Sequence, residues 1–146
     1  MNKAAGYLTV LVLFAAASTA TVRAHCQIPC GIYDDQMRIH LMEEHVATIE
    51  KSMKQIEAAP NQNQTVRWVL NKDNHADKLS EIVTYYFMAQ RIKPGSEGYA
   101  VKLGQLHEIL VTSMKAKQTT DLAHVEKLKI LIHDFEHSYM GEKHTH

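Results

Sequence analysis

In the stretch Asp34-Asp35-Gln36-Met37-Arg38-Ile39-His40-Leu41-Met42-Glu43-Glu44-His45-Val46-Ala47-Thr48-Ile49-Glu50-Lys51-Ser52-Met53-Lys54-Gln55-Ile56-Glu57-Ala58, apolar residues fall at Ile39, Met42, Val46, Ile49, Met53 and Ile56. Their spacing alternates three and four, which is the stripe of a helix that buries one face. The paired aspartates supply an N-cap, and Pro60 with Asn61 and Asn63 ends the segment.

Three further segments repeat the pattern. The second is expected from about Gln64 to Arg91, with Val66, Leu70, Leu79, Val83 and Tyr86 on one side and Trp68, Ile82 and Phe87 widening that face. Lys93-Pro94-Gly95-Ser96-Glu97-Gly98 has the composition of a turn. The third helix carries Tyr99, Leu103, Leu106, Leu110 and Met114. The fourth has Thr120 as its candidate N-cap, a stripe of Leu122, Val125, Leu128, Ile132, Phe135 and Tyr139, and Gly141 as its stop. Four amphipathic segments with short connections and no alternating strand pattern predict an all-α fold, an antiparallel up-down four-helix bundle. The seven methionines and the Tyr85-Tyr86-Phe87 cluster continue the stripes and read as core.

Upstream of the first helix the chain changes character. Lys3, an apolar run from Leu8 to Ala17 and the small or compact residues of Val22-Arg23-Ala24 have the three-part form of a secretory leader cut before His25. The apolar run is about half the roughly 20 residues a membrane span needs. Residues 1–24 are therefore read as a cleaved leader and residues 25–146 as one domain, soluble once processed. A leader-removing protease is an implied partner, and export to a periplasmic or extracellular site the expected location. The leader removes Lys3 and Arg23, leaving 14 basic against 16 acidic residues, a formal charge of −2 with histidines neutral. Lysines interleaved with glutamates offer no basic face for nucleic acid.

Cleavage before His25 would expose His25-Cys26-Gln27-Ile28-Pro29-Cys30-Gly31-Ile32-Tyr33 as an N-terminal arm holding both cysteines. An ion there is offered the α-amine and imidazole of His25, the amide nitrogen and thiolate of Cys26, and the thiolate of Cys30. The amine and the Cys26 amide nitrogen close one chelate ring, and that nitrogen closes another with the Cys26 sulfur. Pro29 fixes a bend and Gly31 frees the backbone beside it, so Cys30 can return its sulfur. The product is a planar N₂S₂ hook with an axial imidazole. Such a site suits Ni²⁺ or Cu²⁺ better than zinc, which prefers tetrahedral surroundings. Thiolates reduce Cu²⁺, which favours nickel, although coordination logic leaves copper open.

The pattern His-Cys-x-x-Pro-Cys-Gly-x-Tyr, matched by His25, Cys26, Pro29, Cys30, Gly31 and Tyr33 and followed by Asp34 and Arg38-Ile39, resembles the nickel-containing superoxide dismutases. More weakly, Tyr85-Tyr86-Phe87 before Lys93-Pro94 resembles the end of that family's second helix. The resemblance implies disproportionation of superoxide to dioxygen and hydrogen peroxide through a Ni(II)/Ni(III) cycle, with one nickel ion per chain. His25, Cys26 and Cys30 would be the metal ligands. His25 would also serve the redox change, and Tyr33 would stand at the mouth of the site, ordering water and helping to deliver protons. It further implies a homohexamer, and maturation inside the cell by a dedicated protease as the alternative to export. Some relatives carry Asp where Gln27 stands, an acidic residue where His40 stands, and an Arg of the second helix behind the site, for which His75 and Arg67 are candidates here.

Two other functions compete. One is an exported helical protein that carries copper or nickel without turnover. The other is a structural bundle with a Cys26–Cys30 disulfide, the ordinary use of two cysteines in an exported chain. A disulfide does not require a histidine at the cleavage point, whereas amine coordination does. Elsewhere, His40 with Glu44 and His133 with His137 sit at helical spacing and read as surface residues, with His144 and His146 in a polar tail.

Overall fold

The computed structural model describes residues 34–141. Four helices follow one another: α1 Asp35–Glu57, α2 Gln62–Glu81 continued by a π-helical segment Ile82–Arg91, α3 Tyr99–Gln118 and α4 Ala123–Met140. Each packs on its neighbours in sequence and α4 closes on α1, the arrangement of an up-down four-helix bundle. The leader, the hook and the tail from 142 onward lie outside the described residues.

The first helix follows its sequence closely. The Asp34 side chain accepts the Gln36 amide at 2.8 Å and the Met37 amide at 3.4 Å, supplying acceptors for donors that a helix start leaves unpaired. Ile39, Met42, Val46, Ile49 and Met53 are at most 1% exposed. Each such side chain is worth about 1.5–3 kcal/mol when fully buried. Asn61 caps α2 through Gln64, and Gly141 at φ 79° ends α4, as its sequence predicts.

The expected stripes shift in α2 and α3, whereas α4 buries Val125, Leu128, Ile132 and Phe135 as its sequence predicts. Val66 and Leu70 are exposed, and Lys72, Ala76, Leu79 and Val83 hold the inward face of α2. Leu70 and Leu79 are nine residues apart, which at 3.6 residues per turn places them on opposite sides, roughly 180° around. Met114 is 52% exposed, and the core positions of α3 belong to Leu106, Ile109, Thr112, Ser113 and Ala116. Ser113 sits close against α2, its hydroxyl donating to the Ala76 carbonyl at 3.0 Å. A bulkier residue would force those helices apart. Leu122 is exposed because it precedes the first turn of α4. Thr120 does not cap that helix. Its hydroxyl bonds Glu57, and Asp121 accepts the Ala123 amide instead. Tyr85 is exposed too, whereas Tyr86 and Phe87 are buried.

The last stretch of α2 is wound as a π-helix. The Ile92 amide bonds the Phe87 carbonyl five residues back, at 2.9 Å. Val83, Tyr86 and Phe87, at i, i+3 and i+4, share the inward face that Tyr85 misses. Phe87 meets Phe135 and Tyr139 of α4 edge-on, with ring centroids 4.9 and 5.4 Å apart.

Candidate metal centre

Tyr33 is bonded to Asp34, so the arm joins the bundle at the end where α1 begins and α2 and α4 finish. Asp35, in the first turn of α1, is the focus of that end. Tyr86 donates to its Oδ1, Tyr139 donates to its Oδ2 at 2.8 Å, and the Arg91 Nε lies 2.8 Å from Oδ1. The Arg91 Nη2 donates to the Tyr86 hydroxyl at 2.8 Å. One carboxylate thus ties the start of α1 to the ends of both other helices, within two residues of Tyr33.

The electrostatics hold this cluster in one protonation state. Burial, reinforced by the hydrogen bonds to Asp35, pushes the Tyr86 and Tyr139 hydroxyls above the ordinary phenol value. Both remain donors at neutral pH. The Tyr86 hydrogen bond raises the already high pKa of Arg91. Two guanidiniums lie over the Tyr86 ring, Arg91 at 4.8 Å and Arg38 at 5.5 Å from its centroid. Both guanidiniums are thus held against one aromatic ring.

The ligands expected from the sequence, His25, Cys26 and Cys30, and the expected gate Tyr33 lie outside the described residues. Their donor chemistry fits nickel: an amine, an amide nitrogen, an imidazole and two thiolates match a borderline ion that accepts planar nitrogen and sulfur coordination. Among the described residues, no group of three or more His, Cys, Asp and Glu side chains is placed to hold a metal. No helix among them is long and apolar enough to cross a membrane.

Of the candidates for a residue behind the hook, Gln27 also lies outside the described residues. His40 is exposed in the second turn of α1, its ring 3.2 Å from the Gln36 amide nitrogen, which also donates to Glu136 at 2.6 Å. His75 instead pairs with His45 across α1 and α2. Arg67 is 19 residues before Tyr86, roughly 28 Å along the helix, beside a groove with Gln64, Trp68 and Asn74. His133 and His137 are exposed neighbours on α4, as their spacing suggested.

Sequence reasoning treated Asp35 as a cap and Tyr86 and Tyr139 as stripe residues, and so missed the cluster. A signal was present. Both stripes that end here do so in tyrosine, and a buried phenol needs a hydrogen-bond partner.

A family model described as nickel-containing superoxide dismutase matches residues 20–143. No curated protein gives a significant match, and no solved structure does.

Proposed function

We propose, for a chain that belongs to the nickel-containing superoxide dismutase family and is a nickel-dependent superoxide dismutase, that its one nickel ion is held at a processed N-terminus by His25, Cys26 and Cys30. The observation that carries this is the span of the family match, which takes in the whole hook and all four helices. When bound there, nickel supplies the one-electron Ni(II)/Ni(III) couple by which two superoxide anions and two protons become dioxygen and hydrogen peroxide.

The chain's own groups bind, orient and deliver. The Cys26 amide nitrogen and the two thiolates donate anionic density, and the His25 amine and imidazole complete the set. Tyr33 orders water at the mouth, restricts access and passes protons toward the substrate. Asp35 fixes the root of the arm by binding Tyr86, Tyr139 and Arg91 at once. Arg38 adds local positive potential for a small anion that the net charge of the chain does not attract.

Residues 1–24 act as a leader whose removal creates the His25 amine. The leader's form supports export to a periplasmic or extracellular site. A homohexamer accords with the family resemblance and with exposed apolar side chains at the hook end, Met37 at 54% and Tyr85 at 57%, which assembly would cover.

Inserting one alanine before His25 tests the site. The amine then leaves its chelate ring, and dismutation should fall to the level of metal-free protein while helical circular dichroism is unchanged; retained activity would overturn the proposal. Cys26→Ser and Cys30→Ser should each lose nickel. Tyr33→Phe should keep nickel and alter turnover.

A further inference from the structure

Halfway along the bundle, away from the hook, α1 and α2 bring two imidazoles face to edge. The Nδ1 of His45 lies 3.1 Å from the Nδ1 of His75, with ring centroids 5.0 Å apart and planes 76° apart. His45 is ten residues beyond Asp35, roughly 15 Å along the helix, and neither ring takes part in the Asp35 cluster. We infer that His45 and His75 form a second metal site, a two-histidine clasp between α1 and α2 for a borderline divalent ion such as zinc or copper(II).

The geometry suits chelation. With a nitrogen–metal distance of about 2.0–2.1 Å, two nitrogens 3.1 Å apart subtend roughly 100° at one ion. That lies between the square-planar and tetrahedral angles, so the rings need only turn their lone pairs from each other toward a common point. Both come from well-formed helices, so little chain ordering remains to be done.

The charge state suits it as well. Burial lowers the proton affinity of both rings, with His75 and Lys78 acting further on His45, and Lys78 further on His75. The pair is therefore neutral at pH 7, one Nδ1–H donating to the other Nδ1. On chelation two aqua ligands leave the ion, and the shared proton passes through solvent to Nε2 of the same ring. Both rings then coordinate through Nδ1 and carry hydrogen on Nε2, with no net proton released. The Lys78 charge opposes the ion and the Glu44 carboxylate beside His45 favours it. Nitrogen donors select zinc, nickel or copper over magnesium and calcium, with copper(II) strongest in that series.

The test is a zinc titration of the full processed chain carrying its nickel, followed by long-range nitrogen–proton correlation of the histidine rings. One equivalent of zinc should move the Nδ1 signals of His45 and His75 together to metal-bound values, with Nε2 protonated in both rings, and magnesium should move neither. His45→Gln and His75→Gln should each lose that equivalent, whereas His133→Gln should keep it. Zinc that shifts only His133, His137, His144 or His146, leaving the paired rings unmoved, overturns the inference. The wild-type spectrum decides the matter even where a glutamine variant fails to fold.

Discussion

The two ends of the bundle solve the same problem with opposite materials. Where the hook attaches, large rings fill the space: Phe87, Phe135, Tyr86 and Tyr139 pack edge-on or stacked, and their hydroxyls converge on a partly exposed carboxylate. Toward the opposite end Ser52, Ala76, Ser113 and Ala116 are all at most 1% exposed. There a lysine does the joining. Lys72 is 2% exposed and donates to the carbonyls of Ala116 and Lys117 at 2.9 and 2.5 Å, and to Asp73 at 3.0 Å. Those carbonyls belong to the last turn of α3, where a helix lacks its own donors and its dipole favours a cation. The sealed end is thus built for cohesion. The end where α1 begins keeps charge and hydroxyl groups near solvent.

Four substitutions or conditions would break or sharpen this contrast. Phe87→Ala should be the most damaging, costing about 3–5 kcal/mol in chemical denaturation, because its ring links α2 to both aromatic residues of α4. Lys72→Met should cost about 1–3 kcal/mol by leaving the buried Ala116 carbonyl and the part-buried Lys117 carbonyl without that donor, and specific activity per folded, nickel-loaded chain should be unchanged. Asp35→Asn should cost about 1–2 kcal/mol and also lower specific activity, since the root of the hook loosens. Equal activity losses in the lysine and aspartate variants would erase the functional distinction between the ends.

The smallest effect concerns pH. His45 and His75 have folded pKa values lowered from 6.5, so below that pH the unfolded chain binds more protons than the folded one. The stability contributed by the neutral pair is complete above pH 6.5 and declines as pH falls through that value and then through the lower folded ones. In metal-free buffer, His75→Gln should flatten the stability-versus-pH curve in that window, and an unchanged slope would show that the pair contributes nothing.

How far the sequence could be read depended on what kind of residue filled the core. In α1 the inward positions are all large and apolar apart from Ser52, and the stripe matched its structure. In α2 and α3 the inward positions include Lys72, Ala76, Thr112, Ser113 and Ala116, which carry little or no hydrophobic signal. Large residues on the outside, Leu70 and Met114, took their places in the reading. The hook is read from local chemistry and lies outside the described residues. Its donors are joined by covalent bonds over six residues, His25 to Cys30, and need no fold to bring them together.

By itself the sequence determined the helical class, the four-segment order, the cap at Asp34 and the stop at Gly141. These rest on periodicity and on bonds between near neighbours. Only the tertiary structure decided that Arg91 stacks over Tyr86, since five residues of α-helix would set them roughly 140° apart and the π-helical turn brings them together. It alone joined Asp35 to Tyr139, His45 to His75 and Lys72 to the end of α3. Those contacts depend on the angular register of one helix against another, and a change of one residue in a helical turn alters that register without altering the apolar pattern.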